Sequence, residues 1–153
     1  MDTVVVRPAE SRDVDAVALM FHALWSDTDA AEHARDLSRL VAGRAPGKLP
    51  AAIFVAAVQN RLVGFLHTGL RSHADGCDPS RPVGYIEGWY VEPEYRLRKV
   101  GAQLIAAAEQ WARRHQCTEM ASDTWVDNEA SQRAHEALGF EVVDRCVNYR
   151  KQL

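Results

Sequence analysis

The residues best suited to chemistry lie between Tyr85 and Gly101, in the run YIEGWYVEPEYRLRKVG. An apolar strand carries one carboxylate, Glu87, and stops at Glu92-Pro93. A loop with Arg96, Arg98 and Lys99 follows, and then a helix with Gly101 in its first turn. Free backbone N–H groups at a helix start, flanked by cations, bind phosphate or pyrophosphate. The same residues also make an ordinary solvated charged turn. In a regular strand Glu87 shares a face with Tyr85, Trp89 and Val91. Among aromatic side chains a carboxyl can hold a proton near neutral pH and act as a base. Turned to solvent or paired with an arginine, it is structural.

Other candidates are spread along the chain. Asp123 closes a short strand, where crevices form in open sheets and where turn aspartates are also common. Asn128 and Ser131 open a helix, His135 lies further along it, and Tyr149 lies in the last apolar run. Asp27, Asp29, Glu32, Asp75 and Asp78 fall in two loops with Trp25, His33 and His73 close by. They read either as plain loop polarity or as a mouth that attracts a polycation.

The elements that must position these groups follow from periodicity. Thr3 to Arg7 is a first strand stopped by Pro8, and Ser11 or Asp13 can cap the helix carrying Val14, Val17, Ala18, Phe21, Leu24 and Trp25. A polar turn at residues 26–29 precedes a second helix over 30–41, and residues 43–50 form a loop. Residues 51–58 and 62–70 make a hairpin, 71–82 an exposed loop and 83–91 a further strand. The spacing predicts a helix over 99–116, a strand over 117–122, and a helix capped by Asp127 with Ala130, Ala134, Ala137 and Leu138 inward. Gly139 is its C′ residue. Residues 140–143 and 147–150 read as two closing strands. Hairpins leading into one strand–helix–strand crossover imply an α/β chain: a mixed, mostly antiparallel sheet with helices on both faces, in a single domain over residues 1–153.

Composition sets the outer bounds. The chain has 153 residues, 47% hydrophobic and 25% charged, with a net charge of −3. That balance gives no general attraction to nucleic acid or to an anionic membrane. No apolar run approaches the ~20 residues of a membrane span, and the first residues, MDTVVVRPAE, do not read as a signal peptide. Cys77, Cys117 and Cys146 suggest neither a disulfide framework nor a zinc site, so a cytoplasmic location is expected.

Two blocks resemble a known superfamily. EYRLRKVGAQLIAAAEQWA is similar to the acyl-CoA pyrophosphate motif of the GNAT N-acetyltransferases, and DNEASQRAHEALGFE to their second block. LWSD, DGCDPSRPVGYIEGWYV, CTEMASDT and NYRK resemble the aminoglycoside 6'-N-acetyltransferases more closely. The resemblance implies an acetyl-CoA N-acyltransferase fold. It implies acetyl transfer from acetyl-CoA, as co-substrate and without a metal, to the 6'-amine of an aminoglycoside in a ternary complex, conferring antibiotic resistance. Strand 83–91 would hold the pantetheine arm, with amides near Tyr90 and Val91 polarising the thioester. Arg96, Arg98, Lys99, Gly101 and Ala102 would cradle the pyrophosphate, and Asn128 and Ser131 would also touch coenzyme A. Glu87 and Asp123 would bind and deprotonate the substrate ammonium, with Tyr149 or His135 as the acid for the thiolate. Trp25, Asp27, His73 and Asp75 would meet the sugar rings, and the protein would be a homodimer contacting through its C-terminal strands. One position departs from the motif: Lys99 stands where glycine is usual. An acetyltransferase of another amine, such as a polyamine or peptide N-terminus, and a non-catalytic acyl-CoA-binding domain are the alternatives.

Overall fold

The computed structural model describes residues 2–27, 29–45 and 47–153. Thr28 of the polar turn and Pro46 of the 43–50 loop, with Met1, lie outside them. The elements are β1 (Val4–Pro8), α1 (Val14–Leu24), α2 (Ala30–Val41), β2 (Ala51–Val58), β3 (Arg61–Arg71), β4 (Val83–Val91), α3 (Val100–Arg114), β5 (Met120–Ser122) and α4 (Glu129–Ala137). The sheet order is β1-β2-β3-β4-β5, antiparallel except for the β4–β5 pair. This is the mixed sheet that the hairpins and single crossover imply.

The apolar strands β2 and β3 separate two cores. On one face Val17, Phe21 and Leu37 of α1 and α2 pack on Val55 and Phe65. On the other, Val100, Leu104, Ile105 and Ala108 of α3 pack on Ala56, Leu66 and Ile86. Two-faced burial explains why β2 and β3 read as continuous apolar runs rather than alternating ones. Asp13 anchors the start of α1. Its buried carboxylate accepts Arg7 Nη1 at 2.7 Å and Nη2 at 3.0 Å, and the Glu10 N–H at 2.7 Å.

Several expectations need correction. The strand expected over 117–122 begins only at Met120. Gln116 takes φ 61°, and the Cys117 N–H donates to Ala112 C=O at 3.0 Å, so these residues finish α3 instead. Asn128, not Asp127, caps α4, by accepting the Ser131 N–H at 3.1 Å. The inward stripe of α4 is Ser131, Ala134, His135 and Leu138, while Ala130 and Ala137 are exposed. Gly139 is the C′ residue as expected, at φ 92°, with Phe140 N–H donating to His135 C=O.

The two closing strands over 140–143 and 147–150 do not form. This segment has no ladder partner in the sheet, and Val142, Val143 and Val147 are exposed. β-branched residues make a strand only where another edge accepts their hydrogen bonds.

Candidate active site

The site grows from an irregularity in β4. Thr68 pairs with Ile86 but His67 with Gly88, so Glu87 is an extra residue on its strand. The insertion inverts the side-chain alternation. Tyr85 and Glu87 share the α1–α2 face, whereas Trp89 and Val91 pack on the α3 face. The expected grouping of Glu87 with Trp89 and Val91 is therefore wrong: one added residue moves everything beyond it to the opposite side. Gly88 lies under Trp25, where a Cβ would come within 2.6 Å of the Trp25 ring, so Trp25 walls the site next to Glu87.

The acidic end is a chain of contacts. Arg71, the last residue of β3, donates Nε–H to Glu87 Oε1 at 2.9 Å and Nη2–H to Oε2 at 2.7 Å. Its guanidinium carbon lies 3.5 Å from the Tyr85 ring centroid. The Tyr85 hydroxyl donates to Asp123 Oδ2 at 2.6 Å. Burial, then the bond to Asp123, pushes the Tyr85 phenol well above its usual range, so it stays a donor. Burial pulls the nearby His67 imidazole down, against an upward pull from Glu87.

The cationic end begins where β4 and β5 part. Their parallel pairing covers only Gly84 to Ile86, so β4 from Glu87 onward has an open edge on that side. Glu92 N–H donates to Val63 C=O at 2.8 Å across the β3–β4 pair. Strand alternation then directs the Val91 and Trp89 amides to the open edge and the Tyr90 amide to β3. Of the expected Tyr90–Val91 pair, Val91 is the one facing outward. The Val91 carbonyl accepts Arg96 Nε–H at 2.8 Å, which fastens the loop to the strand end.

The loop has a specific backbone form. Leu97 takes φ 61°, and Lys99, the N-cap of α3, takes φ 62° and ψ 9°. A left-handed Lys99 followed by the helical Val100 turns successive amides toward one side, a hollow that suits an anion. The unbonded amides of Val100, Gly101 and Ala102 extend it into the first turn of α3. Lys99 thus holds the left-handed conformation that a glycine would supply, with its side chain in solvent. Gly101 is needed for a different reason: a Cβ there would lie 2.8 Å from Trp89 Cζ2. The Trp89 Nε1–H is buried beside it without a hydrogen-bond partner among the described residues.

Behind the opening stands His135. A carbonyl only accepts, so the 2.7 Å contact with Ser131 C=O puts a proton on Nδ1. Nε2 lies 2.8 Å from Ser122 Oγ, and the ring packs edge-on against Trp89 and Phe140.

The structure therefore brings together Glu87, Asp123 and Trp25 at one end, and Val91, Arg96, Lys99, Gly101 and Ala102 at the other, with His135 and Ser131 behind. Arg98 lies over the Tyr95 ring. Asp27, His73 and Asp75 occupy exposed turns. Tyr149 is 92% exposed in the C-terminal segment and joins none of these groups. Residue types and spacing did not single out Arg71, Tyr85, Ser122 or Trp89 as site residues. A paired arginine was an open reading for Glu87, but the displaced register that selects Arg71 has no mark in the sequence. Among the described residues no three His, Cys, Asp or Glu side chains gather as a metal site.

An anion hollow at the start of α3, an open edge of β4 and two carboxylates at the other end of that edge are what an acyl-CoA-dependent transfer to an amine requires. The model of the Acetyltransferase (GNAT) family matches residues 17–140. The chain belongs to that family. It is 39% identical over 150 residues to an aminoglycoside N(6')-acetyltransferase type 1 of Klebsiella aerogenes, covering 97% of each chain. It is 37% identical over 149 residues to a protein of the same name from Stenotrophomonas maltophilia, covering 97% of this chain and 93% of that one. Its fold matches AAC(6')-Iy in complex with a bisubstrate analog, CoA-S-monomethyl-acetylneamine, at TM-score 0.87 and 33% identity over 99% of both chains. AAC(6')-IG from Acinetobacter haemolyticus matches at TM-score 0.84 and 30% identity, covering 97% of this chain and 99% of that one.

Proposed function

We propose that this protein is an aminoglycoside 6'-N-acetyltransferase, which moves an acetyl group from acetyl-CoA to the 6'-amine by direct attack in a ternary complex and so confers resistance. The observation that carries this is the polarity along the open edge of β4: carboxylates at one end and an anion hollow at the other. The residues present fit coenzyme A. The hollow at Leu97–Lys99, the amides of Val100 to Ala102 and the cations Arg96, Arg98 and Lys99 suit a pyrophosphate. The open edge of β4 suits an amide-rich arm, and Asn128 and Ser131 at the start of α4 would also touch the coenzyme.

An ammonium must lose a proton before it can attack a thioester. Asp123 is the better-placed base. Its Oδ2 takes the Tyr85 hydroxyl, while Oδ1 has no hydrogen bond to a described residue. The Val91 amide on the open edge suits the developing oxyanion. The departing thiolate needs a proton; with Nδ1–H on Ser131 C=O, His135 supplies one only as the imidazolium, from Nε2 on the Ser122 side, while Tyr149 is exposed in the C-terminal segment. Trp25 beside Gly88 offers a face for a sugar ring, with Asp27, His73 and Asp75 on the turns that a polycation crosses.

We also read residues 1–153 as one such domain, working in the cytoplasm where acetyl-CoA is made. A homodimer accounts for the C-terminal segment, whose Val142, Val143, Val147 and Tyr149 lack cover in one protomer. Sedimentation should return about twice 17.1 kDa. Steady-state assays with acetyl-CoA and tobramycin, kanamycin, spermidine and a peptide amine test the substrate. Turnover of the aminoglycosides with kcat/KM at least a hundredfold above the other amines is expected. Preference for spermidine or the peptide overturns the reading.

A further inference from the structure

We propose that Arg71 is a positioning residue for acetyl transfer: it absorbs the charge of Glu87 and leaves Asp123 as the carboxylate that meets the incoming ammonium. The inference rests on the aminoglycoside reading above. Three contacts carry it. Both carboxylate oxygens of Glu87 are taken by the Arg71 fork, at 2.9 and 2.7 Å. The same guanidinium covers the Tyr85 ring at 3.5 Å, and the Tyr85 hydroxyl reaches Asp123 at 2.6 Å. One cation thus links the two carboxylates across β3, β4 and β5.

The charges at this end are Glu87, Asp123 and Arg71, which sum to −1. An ammonium arriving at Glu87 would have to break two parallel charge-assisted bonds whose planar geometry it cannot reproduce. At Asp123 it meets an oxygen that no described side chain occupies. Arg71 also blocks the face of Tyr85, which holds the hydroxyl on Asp123. Glu87 then acts through Arg71, as the counter-ion that keeps a cation from repelling the substrate.

The test uses wild-type protein, Glu87→Gln, Arg71→Met and the double variant, assayed with acetyl-CoA and tobramycin. In Glu87→Gln the Arg71 charge is uncompensated. With charges roughly 6 Å apart and an effective dielectric of about 40, the tobramycin KM rises about tenfold. The smaller change is in kcat. The excess shrinks when ionic strength is raised to about 0.5 M. In Arg71→Met/Glu87→Gln the KM returns to within about threefold of wild type. Acetyl-CoA KM, equal in all four, checks the fold. If the double variant stays as impaired as Glu87→Gln, Glu87 meets the ammonium itself and the assignment of Arg71 is overturned. Calorimetry with tobramycin alone separates the two levels. Absence of binding to wild-type protein overturns the aminoglycoside reading and this inference with it. Binding by wild type with equal loss in Glu87→Gln and the double variant overturns only the role of Arg71.

Discussion

Replacing Lys99 separates backbone strain from charge at the anion hollow. Lys99 caps α3 at φ 62° and ψ 9° with an exposed side chain. A residue with a Cβ held in the left-handed region costs about 1–2 kcal/mol. Glycine removes that strain but gives back about 0.5–1 kcal/mol through its freedom in the unfolded chain. The net gain for Lys99→Gly is about 0.5–1 kcal/mol, or about 1–4 °C in Tm for a chain of this length. Lys99→Ala keeps the Cβ and the strain and loses only the ammonium, so its stability should stay within about 0.5 kcal/mol of wild type. Both variants lose one cation beside the anion hollow. Their acetyl-CoA KM should rise together, about three- to tenfold at low salt, with the difference fading as salt screens it. Urea denaturation and steady-state kinetics of the three proteins give the result. Equal stability of the glycine and alanine variants, or loss of 1 kcal/mol or more in Lys99→Gly, would refute the left-handed assignment. A KM rise confined to the glycine variant would show that the lysine acts through backbone shape rather than charge.

Three further predictions concern other parts of the molecule. Asp13→Asn should cost about 2 kcal/mol at pH 7 in chemical denaturation, because it breaks a buried bidentate pair. Hydrogen bonding from Arg7 holds the Asp13 carboxyl below its usual 3.8, so its contribution is complete above that value and lost as pH falls through the lower folded value. The gap between wild type and variant should therefore close below about pH 4. Tyr85→Phe removes the donor to Asp123 and should lower kcat/KM for tobramycin about tenfold, the worth of one hydrogen bond to a charged group, with acetyl-CoA KM unmoved. Gly101→Ala places a Cβ 2.8 Å from Trp89 Cζ2. It should destabilise by about 1 kcal/mol despite alanine's better helix propensity, raise acetyl-CoA KM and change Trp89 fluorescence.

Much of the fold was legible because its signals are local. β2, β4 and α2 fall on the residue boundaries that apolar runs and breakers predict, and the Arg96–Lys99 loop sits between β4 and α3 as expected. What escaped is non-local. The extra residue at Glu87 appears only when β4 is laid against β3, and it decides which side chains share a face. Arg71 belongs to the site only through that slip, since nothing near it in sequence points to a carboxylate sixteen residues away. The C-terminal valines have strand propensity but pair with no edge of the sheet, so propensity alone misled. Lys99 looked like damage to a motif because composition cannot show that a lysine takes the left-handed conformation.

The central claim, that the crevice delivers a sugar amine to acetyl-CoA, is tested most directly by the position of the new acetyl group. Purified protein, acetyl-CoA and tobramycin are incubated together, and the product is mapped by two-dimensional NMR. The account predicts one acetyl per molecule, on the 6'-nitrogen. An acetyl group at any other nitrogen, or no product at all, would contradict it.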